Sequence, residues 1–228
     1  MKTKLNLYFL LSMMNLWFIS CSKPDEFYKD LLANSDRNYP GKLQNIVPSN
    51  GYYRFKLNYI IPPNNSAAKI VLAGVTDTII FDIPNEKSGL KDSLYVDKLK
   101  ETSYRFSIYT LNKKGESSIK QNILFKIYGD RYKSSLSTLN VKSKFTAVGS
   151  SDLRLIFFPD NANILVTSMF QYTDVNNQVV DYKIMNPKDT VFLINYKTGS
   201  DIHMINGFIP NKGSIDTIFT QKKLLKLP

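Results

Sequence analysis

The run Tyr104-Arg105-Phe106-Ser107-Ile108-Tyr109-Thr110-Leu111-Asn112-Lys113-Lys114-Gly115-Glu116-Ser117 narrows the choice of fold more than any other stretch. Tyr104, Phe106, Ile108 and Thr110 recur every second residue, which places them on one side of an extended strand and rules out a helix face. Asn112 to Gly115 has the chemistry of a hairpin turn, with Gly115 able to take positive φ. Ser118 to Ile127 then reads as the returning strand. The same period of two runs through Lys42 to Ile127. Tyr53, Phe55, Leu57 and Tyr59 alternate with Arg54, Lys56 and Asn58. Pro62-Pro63-Asn64-Asn65 is a turn. Lys69–Ala73 and Thr78–Ile83 are further strands, ended by Gly74 and by Pro84-Asn85, and Leu94 and Val96 mark another.

The second half repeats the first. Lys188-Asp189-Thr190-Val191-Phe192-Leu193 answers Lys91-Asp92-Ser93-Leu94-Tyr95-Val96, and Lys212-Gly213 answers Lys114-Gly115. Ile202, Met204, Asn206 and Phe208 take the frame of Tyr104, Phe106, Ile108 and Thr110, with polar Asn206 interrupting the apolar row. Leu153 to Pro159 stands for the earlier Tyr53–Tyr59 strand, and Asp174-Val175-Asn176-Asn177 reads as a hairpin turn. A repeat of this length predicts an all-β chain of tandem sandwiches of about 100 residues each. The motif of Tyr104, Phe106, Ile108, Thr110, Asn112, Gly115 and Ser117 resembles the F strand and F–G turn of the fibronectin type III module. That resemblance covers about Leu43 to Ile127. It puts Tyr59, three residues before Pro62, where the module buries a tryptophan, and Leu99 near the leucine that precedes the F-strand tyrosine. It implies a fibronectin type III or Ig-like fold and no particular chemistry.

The N-terminus carries an address. Lys2 and Lys4 precede a mostly apolar run, Leu5 to Ile19, that closes on Ser20: the anatomy of a secretory signal peptide, shorter than a membrane span and interrupted by Asn6, Ser12 and Asn15. Phe18-Ile19-Ser20-Cys21 resembles a bacterial lipobox, with Phe18 where leucine is usual. The resemblance implies cleavage before Cys21 and lipidation of its sulfur; the alternative is an ordinary cleavage site beside a cysteine. Cys21 is the only cysteine, and a thioether-capped cysteine avoids the stray disulfides a lone exported thiol invites. Ser22-Lys23-Pro24-Asp25-Glu26 resembles the export tag of Bacteroidota-type surface lipoproteins, or is a solvated tether. Asp25 to Asn38 reads as a short helix or a flexible stalk, broken by Tyr39-Pro40-Gly41.

Charge and composition exclude several classes. The net charge is +11, or +9 without Lys2 and Lys4. The lysines are spread along the chain, with only Lys222, Lys223 and Lys226 clustered, and no nucleic-acid recognition motif accompanies them. His203 is the single histidine and alternates with Ile202 and Met204, so it faces outward, and no ligand set for a metal gathers around it. A Ser/His/Asp triad would have to use His203, and no nucleophile elbow or phosphate loop is present. Asp77 and Asp82 flank a strand on opposite phases, and Asp189 and Asp201 fall at strand edges, so no carboxylate pair for glycoside hydrolysis is apparent. The reading is no enzyme and no cofactor.

Sugar binding prefers a tryptophan platform. The only tryptophan, Trp17, lies in the signal peptide, so tyrosines must substitute. Tyr128, Tyr132, Tyr109 and Tyr172, with Tyr52 and Arg131, are the candidate ligand-binding residues. Tyr128 to Leu136 reads either as a ligand patch at the domain junction or as a structural joint whose tyrosines pack between modules. The divisions are 1–20 signal peptide, 21–41 lipidated tether, 42–128 first sandwich, 129–137 joint, 138–222 second sandwich and 223–228 tail. Lipobox, Tyr39-Pro40-Gly41-Lys42, the two repeats and Tyr128-Gly129-Asp130-Arg131-Tyr132 together resemble a Bacteroidota lipoprotein family with fibronectin type III-like domains, often found beside glycan-uptake machinery. That resemblance implies a lipid-anchored, outward-facing outer-membrane protein, non-catalytic, with a glycan or an outer-membrane transporter as partner. The alternative is a structural or adhesive protein-binding module with no sugar ligand.

Overall fold

The computed structural model describes residues 38–63, 66–75, 77–84, 88–160 and 164–228. The signal-peptide run, Cys21, the charged tag and Asp25–Arg37 lie outside the described residues, as do Asn64-Asn65 and Asn85. The compact unit Pro40–Pro228 holds every strand below.

Seven strands make the first sandwich: β1 (Gln44–Asn50), β2 (Phe55–Ile60), β3 (Ala67–Ala73), β4 (Thr78–Asp82), β5 (Lys91–Val96), β6 (Ser103–Asn112) and β7 (Gln121–Lys126). One sheet has the order β1-β2-β5 and the other β4-β3-β6-β7, all antiparallel. Alternation does what the sequence implies. On β2, Phe55, Leu57 and Tyr59 point inward, and on β6 so do Phe106, Ile108 and Thr110. Phe55, Leu57, Ile70, Leu72 and Ile108 are fully buried, each stabilising by about 1.5–3 kcal/mol relative to exposure. Tyr59 occupies the core as expected, with its hydroxyl donating to Asp92 at 3.2 Å. Tyr53 does not continue the row. It has φ +56, and the strand begins at Phe55. The Asn112 turn is held by its own side chain: Oδ1 accepts the N–H groups of Lys114 and Glu116, and Gly115 has φ +85. At the start of β6 the Tyr104 hydroxyl accepts the Lys100 N–H at 3.0 Å, a tyrosine corner that ties the strand to the loop entering it.

A short helix α1 (Asp130–Ser135) follows, then β8 (Val141–Thr146), β9 (Leu153–Phe157), β10 (Ile164–Thr173), β11 (Val179–Met185), β12 (Thr190–Leu193), β13 (His203–Ile209), β14 (Ile218–Phe219) and β15 (Lys223–Leu224). β12-β9-β8 is one sheet. β11-β10-β13-β14 is the other, with β15 also on β13. Sequence order and sheet order match the first sandwich, so the chain is a tandem of fibronectin type III-like sandwiches. Asp174 folds its hairpin as Asn112 does, accepting from the Asn176 and Gln178 N–H groups. Gly213, at φ +88, repeats Gly115.

One expectation needs correcting. Residues 223–228 are not a free tail: β15 pairs with β13, and Leu225 and Leu227 pack on the second core. Asn206, the polar interruption, faces inward like its apolar neighbours and is fully buried. Every polar group of its side chain and backbone is engaged: Oδ1 accepts the Leu139 N–H (2.9 Å), Nδ2 donates to Ser168 Oγ (2.7 Å), its N–H donates to Thr220 Oγ1 (3.0 Å) and its carbonyl accepts the Thr220 N–H (2.9 Å). A buried amide is tolerated only when so satisfied.

Asn206→Ala strands the Leu139 N–H and the Ser168 hydroxyl and leaves a cavity; urea unfolding should show a loss of about 2–4 kcal/mol. Tyr104→Phe should cost no more than about 1 kcal/mol by the same measurement.

Candidate functional site

A recess lies where the first sandwich meets the segment before β14. Its walls are set by backbone contacts that leave little freedom. Gly51, between β1 and β2, admits Asp216 so closely that a Cβ there would sit 2.5 Å from Asp216 Oδ2 and 2.8 Å from Ile215. The Ile215 N–H donates to the Asn50 carbonyl at 2.8 Å, and the Tyr52 N–H to Asp216 Oδ2 at 2.9 Å. Arg54 grips Asp216 with two nitrogens, Nε to Oδ2 at 2.9 Å and Nη2 to Oδ1 at 2.5 Å, the fork geometry of a guanidinium on a carboxylate. This pair holds the Asp216 carboxyl below the usual carboxylate range.

The opposite wall is α1. Glu101 accepts the Arg131 and Tyr132 N–H groups, both at 2.8 Å, and so caps the first turn. Tyr52 donates its hydroxyl to Asp130, and the Asp130 N–H donates to the Tyr53 hydroxyl at 3.0 Å. The Asp130 hydrogen bond pushes the Tyr52 phenol up to about 12 and holds the Asp130 carboxyl down. Tyr53 sits in the left-handed region, which costs a bulky side chain about 1–2 kcal/mol. It is held there by its N–H on the Tyr128 carbonyl (2.8 Å), its carbonyl on the Leu99 N–H (2.9 Å) and its ring against Gly129. Strain so over-determined marks a place the fold keeps rigid.

Two adjoining hollows result. One, of about 480 Å³, is lined by Tyr52, Arg54, Lys133, Asp216 and Thr217–Phe219. The other, of about 460 Å³, runs on from Lys133 between α1 and Thr220–Lys223. Lys133 borders both, so they form one trough along the edge strand β14. Beneath it Leu136, Phe208 and Ile218 make an apolar cluster with Tyr52, Tyr128 and Tyr132.

Of the sequence-derived candidates, Tyr52 lines the first hollow, while Tyr128 and Tyr132 belong to the apolar cluster and Arg131 stands on α1 outside both linings. Tyr128 and Tyr132 meet edge to face, with ring centroids 4.8 Å apart, and Lys126 Nζ lies 5.2 Å over Tyr128. Burial pushes the Tyr132 phenol up to about 12. Of the two readings left open for the joint, this packing fits the structural one. The Arg131 side chain is exposed. Tyr109 is half-buried on β6 with Lys120 Nζ 5.2 Å over its ring. Tyr172 must be corrected: it is 5 % exposed in the second core, its hydroxyl donating to the Ile194 carbonyl at 2.9 Å, and offers no platform. The sequence reading missed Arg54, Lys133 and Asp216. Only Gly51 ahead of two tyrosines hinted at a close approach. His203 lies on the outer face of β13, as expected, beside Gln171, Asp181 and Lys222.

Chemically the trough suits binding. Asp130 and Asp216 are both held ionised, the reverse of what a general acid for glycoside cleavage requires. Among the described residues no group of three His, Cys, Asp or Glu side chains could hold a metal ion.

Residues 21–218 match the family DUF4998, described as a domain of unknown function. Among solved structures, the chain is similar to a two fibronectin type III domain segment from chicken tenascin (12% identity, covering 81% of this chain and 99% of that one, TM-score 0.32). It is also similar to the chicken CNTN1 FN1–FN3 domains (11% identity, 82% and 68%, TM-score 0.36). No curated protein matches the sequence.

The junction makes two predictions. Because the folded pKa of Asp216 is depressed, its pairing with Arg54 stabilises at neutral pH and is lost as pH falls below about 4. The acid-side drop in melting temperature should therefore shrink in Asp216→Asn. Gly51→Ala should pry the two sandwiches apart while leaving each core intact, visible as a larger radius of gyration in solution scattering with strand content unchanged by circular dichroism.

Proposed function

The chain belongs to the DUF4998 family, and from that premise we propose that it is a non-catalytic, lipid-anchored binding module of the outer-membrane surface, an accessory binding or scaffold part of a glycan-uptake system. The observation that carries the reading is the trough between the sandwiches, whose two carboxylates, Asp130 and Asp216, are both held ionised by their partners; among the described residues no group of three His, Cys, Asp or Glu side chains could hold a metal ion. A tandem of fibronectin type III-like sandwiches suits a spacer that holds such a recess away from a membrane. The anchor rests on Phe18-Ile19-Ser20-Cys21. The outward orientation rests on Ser22-Lys23-Pro24-Asp25-Glu26.

A second reading has its own support. On the outer face of the β12-β9-β8 sheet, Phe145, Arg154 and Phe192 stand in register across three strands. Phe145 is 60 % and Phe192 50 % exposed, and the Arg154 guanidinium lies 6.0 Å from the Phe192 ring. Exposed aromatics around an arginine are the usual anchors of protein interfaces. Phenylalanine, lacking a hydroxyl, suits a protein such as an outer-membrane transporter better than a sugar.

Five measurements decide. Mass spectrometry of the mature N-terminus should find acylated Cys21, and Cys21→Ala should move the protein out of the membrane fraction. Protease added to intact cells should remove it. A glycan array carrying neutral and acidic oligosaccharides should show binding by the mature chain. If no glycan binds while a transporter cross-links to the wild type and not to Phe145→Ser/Phe192→Ser, the protein-docking reading replaces the first.

A further inference from the structure

The charges along the trough are unequal. Arg54, Lys133, Lys222 and Lys223 line it against two carboxylates, Asp130 and Asp216. Both carboxylates already serve the fold. Asp216 takes the Arg54 fork and the Tyr52 N–H, and Asp130 takes the Tyr52 hydroxyl. The cations are less committed. Lys222 turns its ammonium to Gln171 Oε1 at 2.6 Å. Arg54 uses two of its five N–H donors on Asp216. Lys133 lies near enough to Asp130 to help hold its carboxyl down, at a range beyond an ion pair, and among the described residues Lys223 has no carboxylate within ion-pair distance. Ser134 and Ser137 line the same hollow as these lysines, while the Thr220 hydroxyl is buried on the Asn206 N–H. The lining run Thr217–Lys223, seven residues, spans roughly 20 Å when extended, so the recess has the length of a chain and not of a single ion. Its walls are fixed before any ligand arrives, which lowers the ordering cost of binding.

We infer that this trough selects acidic glycans, chains bearing carboxylate or sulfate groups, with Lys133 and Lys223 meeting the anionic groups from opposite walls and Arg54 offering its remaining N–H donors at the junction end. The inference rests on the glycan-binding reading above and names the class of glycan.

Binding of the mature chain to four probes tests it: polygalacturonate, dextran sulfate, uncharged dextran and a double-stranded DNA oligonucleotide, each at two salt concentrations. Two variants carry the same charge change, Lys133→Glu/Lys223→Glu in the trough and Lys113→Glu/Lys114→Glu on the exposed turn after β6. Lys133→Ala/Lys223→Ala stands in should the first fail to fold. The expected result is binding to at least one acidic polysaccharide, weakened by salt, reduced about tenfold or more by the trough variant and changed little by the turn variant. DNA and uncharged dextran should bind markedly less. Equal losses in both variants, or DNA binding as tight as the polysaccharides, would reduce the effect to general charge and overturn the inference. Binding of uncharged sugars untouched by the trough variant would overturn it while leaving the glycan-binding role standing. No binding to any sugar, here or on the array, would end both.

Discussion

One guanidinium–carboxylate contact governs how the two sandwiches are used. Arg54 reaches Asp216 across 162 positions of sequence. A half-exposed ion pair of this kind is worth little stability by itself, and its importance is geometric. Its two-nitrogen fork admits one orientation, and that orientation agrees with the Ile215–Asn50 backbone bond, the clearance at Gly51 and the turn at Tyr53. The free energy of the junction comes instead from the apolar cluster beneath, Leu136, Phe208 and Ile218 with the flanking tyrosines. Burial supplies adhesion without direction, and the fork supplies direction with little adhesion. A trough with fixed walls needs both.

The second sandwich meets the same joint through Asn206. Its side-chain oxygen holds the Leu139 N–H just before β8, so the interior of the sandwich grips the incoming chain directly. The first sandwich has Thr110 at a comparable depth, fully buried, its hydroxyl donating to the Gly41 carbonyl at 3.0 Å. Each module thus places one satisfied polar side chain inside its central strand and uses it to tie down the segment that leads in. The corners differ. In the first, Tyr104 on the strand accepts from the preceding loop; in the second, Tyr196 before the strand donates to the Ser200 carbonyl at 2.5 Å. The repeat preserves the function of the lock while reversing its polarity, which explains why Ile202 can stand in the frame of Tyr104.

What the sequence disclosed follows from the range of the forces involved. Alternation along β2 and β6, the Asn112 and Asp174 turns and the glycines at 115 and 213 are local, since each is decided by residues within a few positions. The fold class and the repeat were therefore legible. The candidate site was legible only in part. Tyr128, Arg131 and Tyr132 stood out as a cluster, but the pairing of Arg54 with Asp216 depends on how two modules dock, and nothing near either residue signals it. Tyr172 looked like a platform because an aromatic on an alternating strand is ambiguous between faces until the register is known. Residues 223–228 looked like a tail because a two-residue strand carries no periodicity. Asn206 looked like a fault in the pattern because its partners, Leu139, Ser168 and Thr220, come from three other segments.

The surplus of positive charge acquires meaning from the same docking. Thirty Lys and Arg outnumber nineteen Asp and Glu along the whole chain. Spread over outward strand faces, lysines keep sheet edges soluble and deter edge-to-edge pairing, and a diffuse field of that sort draws anions to the whole surface without fixing any of them. The junction differs because its two carboxylates are taken up by the fold, and its cations project from two walls whose separation is set by Arg54, Gly51 and the strained Tyr53. Long-range charge brings an anion near. Attraction becomes recognition only where cations are gathered in a recess, and beside α1 Arg54, Lys133, Lys222 and Lys223 line one.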